Sequence, residues 1–215
     1  CALLLARSTT QSPITSTSSS RTRLASIISA ARIGATNMKR FMDFVAERHG
    51  ANATDYDTLW HWSVSNLDKF WSAVWDFCGV KAETRGARAL VDGDKMPGAR
   101  FFPDAKLNFA ENLLRRNDDT EAMVFWGEDK ARRRLSWRQL NDEVSRLQQA
   151  FRAEGLRAGD RVAAYMPNMP ETIMAMLAAS SLGAVFTSCS PDFGVQGILD
   201  RFGQLEPKFL IAADG

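Results

Sequence analysis

Residues 187–194 read Thr-Ser-Cys-Ser-Pro-Asp-Phe-Gly, and Ser188, Cys189 and Ser190 set three potential nucleophiles side by side. A thiol becomes a nucleophile when a base, a cation or a helix N-terminus lowers its pKa. Cys189 stands shortly before a helical start, so that chemistry has an opening. Pro191 and Asp192 are equally the residues of an ordinary turn that closes a strand and opens a helix. The turn is the favoured reading. Arg132, Arg133 and Arg134 form a second candidate, a phosphate patch, against which exposed strand positions are the simpler reading. The two histidines carry no mark of a triad. His49 next to Gly50 reads as a helix end, and His61 between Trp60 and Trp62 as a packed or half-exposed ring.

Other chemistry is sought without result. The three cysteines (Cys1, Cys78, Cys189) are far apart and form no CxxC, which argues against a zinc site and a disulfide framework. The phosphate-loop pattern GxxxxGK[ST] is absent, as are GxGxxG, HExxH and GxSxG. The glycine-rich stretch 85–100 has the wrong spacing to aim several backbone N–H groups at a phosphate. Asp118 and Asp119 are paired carboxylates in a loop with no specific signal. No catalytic residue and no metal ligand is therefore assigned.

The elements that must position these residues follow from periodicity. Residues 31–48 read as one helix with Ile33, Phe41, Phe44 and Val45 on a face, ended by His49-Gly50. In the Trp-rich stretch 56–79, Ser65 and Asp68 have capping-box spacing. Leu67, Phe70, Trp71, Val74 and Cys78 then follow at helical spacing, and Gly79 is a stop. A buried helix face explains these rings better than base stacking, because among them Lys69 is the one lysine or arginine. Cys78 belongs to that face as inert core. Residues 100–117 read as an extended piece and a short helix capped by Asn108. Residues 121–136 read as two strands turning at Gly127.

Ser136 and Gln139 form a second capping box, with Leu140, Val144, Leu147 and Phe151 as the stripe of its helix and Gly155 as its end. From Asp160 the chain alternates: strand DRVAAYM, a helix from Pro170 to Leu182, strand AVFTS, a helix over about 195–205, and strand KFLIAA. Strands separated by helices imply a parallel sheet with right-handed crossovers. The fold class is α/β: a helical, Trp-rich N-terminal extension leading into the first part of a doubly wound parallel sheet. The sheet reads as cut in mid-domain, with the sequence stopping just after a strand.

Bulk properties bound the function. The chain has 215 residues, 45% of them apolar and 24% charged, as in ordinary globular proteins. Residues 1–42 hold six basic residues and no acid, so of 27 basic residues 21 remain, against 25 acids, and the rest of the chain carries −4. A body of that charge excludes nucleic acid as the expected partner. The longest nearly apolar run, about 173–187, contains Ser180 and Ser181 and falls short of the roughly 20 residues of a membrane span. The cysteine usage suits a cytoplasmic setting. The basic, Ser/Thr-rich start has the composition of a mitochondrial transit peptide, which keeps that compartment as the alternative. Residues 1–30 read as disordered.

Several segments in this order resemble the N-terminal part of acyl-CoA synthetases of the adenylate-forming superfamily. They are TLWHWSVSNLDKFWSAVWDFCGV, FFPDAKLNFAENLL, LSWRQL, GDRVAAYMPNMPETIMAMLAASSLGAV, TSCSPDFG and LDRFGQLEPKFLIAADG. ARIGATNMKRFMDFVAERHG and CSPDFG favour the branch that activates acetoacetate. Acetate or propionate is the alternative acid, and a truncated interaction module the alternative class. The resemblance covers about residues 31–215. It implies an N-terminal helical region over 31–112 and the incomplete start of an AMP-binding domain over 113–215. It also implies an ATP-dependent acid–thiol ligase whose full form uses acetoacetate, ATP, Mg2+ and coenzyme A. The segment after SLGAV corresponds to the lining of the tunnel for the pantetheine arm. Acetyl-CoA synthetases carry Phe-Gly-Gly there, and this chain carries Ser190, Pro191 and Asp192, which are the candidate coenzyme A contacts. The family's phosphate loop, acid-binding motifs and adenylation lysine fall beyond Gly215. The 215 residues alone are therefore expected to bind none of the cofactors and to be inactive.

Overall fold

The structure is a computed structural model that describes residues 30–127 and 131–213. The expectation for residues 1–30 therefore lies almost wholly outside the described residues. Contact density divides the chain into two units, Cys1–Cys78 and Gly79–Gly215.

The first unit is helical. Its described elements are α1 (Ala30–Gly34), α2 (Asn37–His49), α3 (Tyr56–Ser65) and α4 (Leu67–Phe77). The single helix read over 31–48 is two, because Thr36 turns extended and caps α2, its side chain accepting from the Lys39 N–H. Ile33, on the near side of that break, is 49% exposed and shares no buried face with Phe41 and Val45. Gly50 ends α2 in the left-handed region, which a residue with a Cβ resists.

The capping box expected at Ser65 and Asp68 does not form, since Ser65 closes α3 and Asn66 caps α4 without a side-chain bond. The box of this unit is Asp55 and Thr58, at the start of α3. The inward face of α4 is Phe70, Ala73, Val74 and Phe77, packed against Phe41, Val45 and Leu59. Trp71 stands outside it and Cys78 is only half-buried. The Phe41 ring meets Phe77 at 5.2 Å and Phe70 at 6.0 Å, both edge-on, an arrangement that adds to burial.

The second unit begins with a short ladder, β1 (Leu90–Val91) with β2 (Arg100–Phe101), and the helix α5 (Phe109–Leu113). Asn108 caps α5 by accepting from the Glu111 N–H at 3.2 Å. β3 (Glu121–Gly127) and β4 (Ala131–Ser136) form the expected antiparallel hairpin. Ser136 and Gln139 cap α6 (Trp137–Ala153) reciprocally, and its Leu140, Val144 and Phe151 are buried. The alternation then follows as β5 (Arg161–Tyr165), α7 (Pro170–Ser181), β6 (Val185–Cys189), α8 (Val195–Gly203) and β7 (Phe209–Ala212). Gly183 makes the turn from α7 to β6 at φ 72°, where an added Cβ would also press on Ala158 at 3.2 Å.

The three strands are parallel, in the order β6-β5-β7. β5 is central, and its Val162, Ala163 and Ala164 are all fully buried. Val162 joins the cluster of Leu140, Phe151, Met174 and Leu177 from α6 and α7. Ala163 joins Cys189 and Phe202, against α8. Neighbouring residues of a strand face opposite ways, so α7 and α8 lie on opposite faces of the sheet, as in a doubly wound fold.

The amino-terminal ends of β5 and β7 are tied together by charge. Lys208 Nζ donates to Asp160 Oδ2 at 2.9 Å and to the Gly155 carbonyl at 2.7 Å, while the Arg157 N–H donates to the same carboxylate at 2.7 Å. The Lys208 ammonium first, and then the Arg157 N–H, hold the Asp160 carboxyl below its usual range.

Two outcomes follow. Leu177→Ala removes a fully buried side chain and is expected to cost about 3 kcal/mol, read as a lowered urea midpoint by tryptophan fluorescence. Because the folded Asp160 pKa is depressed, its contribution is present above the ordinary carboxylate pKa and fades as the pH falls below about 4. Asp160→Asn should therefore lower the urea midpoint at pH 7, and the gap from wild type should shrink in acid. A gap independent of pH would contradict this role.

Candidate functional site

In an open α/β sheet, ligands settle outside the carboxyl ends of the strands, where neighbouring connections leave in opposite directions. Here β5 leads into α7 on one face and β6 leads through α8, on the other, into β7, so the connections leaving β5 and β6 take opposite faces. Three chain segments meet around the end of β5. Met166–Met169 continues from β5 itself. Ala213 follows β7, its N–H donating to the Tyr165 carbonyl at 3.3 Å. On the far side of β5, Ser190–Gly194 follows β6, and the Met166 N–H donates to the Cys189 carbonyl at 3.1 Å.

The last of these segments holds the candidates Ser190, Pro191 and Asp192. Ser190 Oγ and Asp192 Oδ2 lie 2.6 Å apart in a hydrogen bond, and the Phe193 N–H closes a turn on the Ser190 carbonyl at 3.1 Å. Pro191 and Asp192 are exposed and Ser190 is half-buried. α8 begins only at Val195, with Gly194 as its cap. Cys189 is the last residue of β6 and is 5% exposed, packed beside Ala163 and Phe202. Its surroundings are apolar and the helix start is six residues away. These are the surroundings of a packed side chain.

Tyr165 carries no signal in the sequence, yet it organises this end of the sheet. It pairs in register with Cys189, and its hydroxyl donates to the Pro191 carbonyl at 2.7 Å. Arg201 of α8 lies over the Phe193 ring, 4.0 Å from its centroid. The turn is thus held at two points. A separation of 26 residues hides the Tyr165 contact from any local pattern.

The remaining candidates are not brought together. Arg133 pairs with Glu171 and Arg134 with Glu121, while Arg132 lies over the Trp126 ring at 4.8 Å. Arg133 and Arg134 are thus paired with carboxylates, which compete with a phosphate for them. His49 ends α2 with its ring 5.8 Å from Trp62, and His61 is exposed beside Trp60. Among the described residues no group of His, Cys, Asp and Glu side chains is arranged to hold a metal ion, and no helix is long and apolar enough to cross a membrane. A cleft of about 330 Å³ lies among Asn108, Glu111, Asn141, Gln148 and Ser181. Two of its side-chain amides are engaged in structure: Asn108 Nδ2 donates to the Ser180 carbonyl at 2.9 Å, and Gln148 Nε2 to Ser181 Oγ at 2.8 Å.

Comparison with known proteins places this geometry. The family model of the acetyl-coenzyme A synthetase N-terminus matches residues 56–113, and that of the AMP-binding enzymes matches residues 109–215. The acetoacetyl-coenzyme A synthetase of Rhizobium meliloti (strain 1021) is 59% identical over 178 residues, covering 83% of this chain and 27% of that protein. A malonamoyl-CoA synthetase of Penicillium aethiopicum is 36% identical over 182 residues, covering 81% and 25%. The solved acetoacetyl-CoA synthetase from Streptomyces lividans superposes with a TM-score of 0.81 at 43% identity, over 87% of this chain and 29% of that one. The chain thus spans a little over a quarter of the length of these relatives. Two adjoining family models, the 59% identity and the structural likeness together show that the chain belongs to the AMP-binding enzyme family.

Proposed function

We propose that these residues are the N-terminal part of an ATP-dependent ligase that activates acetoacetate and passes it to coenzyme A. The observation that carries the reading is the 59% identity to a synthetase named for acetoacetate. The overall reaction has two displacements. The acid's carboxylate attacks the α-phosphorus of ATP and pyrophosphate leaves. The thiol of coenzyme A then attacks the acyl carbonyl, loses its proton, and AMP leaves. Mg2+ would offset the phosphate charge.

The residues present suit only one of these groups. No phosphate-cradling loop occurs in the sequence and no acid cluster among the described residues, so no step with ATP or Mg2+ is assigned to this chain. Ser190, Pro191 and Asp192 suit the pantetheine arm of coenzyme A. They follow the end of β6, with Pro191 and Asp192 exposed and Ser190 half-buried, and a hydroxyl with a carboxylate can meet the arm's amide groups. We propose the division into a helical region over 31–112 and an AMP-binding region over 113–215, and a cytoplasmic setting with the mitochondrion as the alternative.

The acid itself is chosen elsewhere. Relatives named for acetoacetate in Rattus norvegicus and for malonamate in Penicillium aethiopicum are equally similar to this chain, at 36%. Acetate or propionate therefore stays the alternative acid. A non-catalytic interaction module is the alternative class.

The purified chain is expected to release no pyrophosphate or AMP above background when given acetoacetate, ATP, Mg2+ and coenzyme A. Acetoacetate-dependent turnover by the 215 residues would overturn the assignment of the chemistry to residues outside them.

A further inference from the structure

We infer that Tyr165 is a positioning residue for the coenzyme A arm, acting through the turn 190–193; this rests on the assignment of that turn to the arm. The argument starts from how few bonds fix the turn. Ser190 and Asp192 bind each other, and the Phe193 N–H binds the Ser190 carbonyl. These bonds are internal, and they set the shape of the turn without setting its place. Among the described residues, two side-chain contacts tie it to the body. Arg201 of α8 lies over the Phe193 ring at 4.0 Å, and the Tyr165 hydroxyl donates to the Pro191 carbonyl at 2.7 Å, with the Phe193 carbonyl at 3.4 Å beyond it.

The two ties differ in rigidity. α8 is a surface helix whose Val195 and Leu199 are 74% and 61% exposed. Tyr165 ends the central strand, which is paired on both sides and fully buried from Val162 to Ala164. Its ring is half-buried against the cluster of Ala163, Cys189 and Phe202. A hydroxyl on that ring references the turn to the stiffest part of the sheet. Coordinates built on a strand are tighter than those built on a loop, and a binding group held by such a second contact loses less freedom when its ligand arrives. Asp192, one residue past the anchored carbonyl, is the group whose place this bond sets.

The test pairs Tyr165→Phe, which keeps the ring and removes the hydroxyl, with the double variant Ser190→Ala, Asp192→Ala. In the 215-residue chain, loss of one such bond should speed amide exchange at Asp192 and Phe193 about fivefold and leave Val162–Ala164 unchanged. Unchanged exchange at the turn, or equal acceleration throughout β5, would overturn the inference. In the complete ligase carrying this chain, Tyr165→Phe should raise the KM for coenzyme A about fivefold. The KM for ATP and the acetoacetate-dependent pyrophosphate exchange should stay as in wild type. A raised KM for coenzyme A in the double variant but not in Tyr165→Phe would sink the role of Tyr165 alone. No change in either would sink the placement of the arm at this turn, and the inference with it.

Discussion

Burial of β5 on both faces is the constraint on which the second unit turns. Val162, Ala163 and Ala164 are wholly removed from water, so each must be covered by something other than its strand neighbours. A parallel strand in that position requires helices above and below it. The chain supplies α6 and α7 on one side and α8 on the other. The short side chains at 163 and 164 let those helices approach closely. From that burial follow the strand order β6-β5-β7, the opposite courses of the two crossovers, and the gathering of three loops around Tyr165.

Polar groups secure what the apolar core has arranged. Asn108 does two jobs: its oxygen caps α5, and its amide meets the carbonyls of Ser180 and Ser181 at the end of α7. The Ser180 carbonyl also accepts from the Gly183 N–H at 3.0 Å, so the amide adds to the helix's own closing turn. The ion pair of Lys208 with Asp160 is exposed, where a pair by itself counts for little. Its geometry gains from the Gly155 carbonyl and the Arg157 N–H, which share the same two groups. Arg161 likewise holds the Glu206 carbonyl at 3.1 Å, where the chain turns through φ 46° into β7.

The two ends of the sheet are thus treated differently. The amino-terminal end is closed by hydrogen bonds and charge. The carboxyl end carries exposed polar residues on a turn that is held in place but not covered. Such an arrangement suits a surface that must meet a ligand, because loops on a rigid sheet can be specific without being buried. The aromatic helices of the first unit show the other use of rings. Phe41, Phe70 and Phe77 are spent on packing against one another and their neighbours.

Local chemistry in the sequence determined most of the elements. Ser136 with Gln139, Asn108, Gly50 and Gly183 mark helix boundaries because caps and left-handed turns depend on one or two side chains. The alternation after Asp160 determined a parallel α/β sheet, because strand and helix periods differ. It misled where neighbours compete. Ser65 and Asp68 have the spacing of a cap, but Asp55 starts α3 ten residues earlier and the chain runs helical through Ser65. The face of α4 centres on Ala73, which hydrophobicity alone ranks below Trp71. Likewise Ser190, Pro191 and Asp192 were legible as a turn from their residue types. That the turn is anchored by Tyr165 was decided only by tertiary structure, since parallel pairing of β5 with β6 brings Tyr165 beside Cys189 across 24 residues of chain. The same pairing buried Cys189 and settled it as packing, and cross-element acids took up Arg133 and Arg134. Contacts between elements depend on register and crossover, and no short stretch of sequence encodes either.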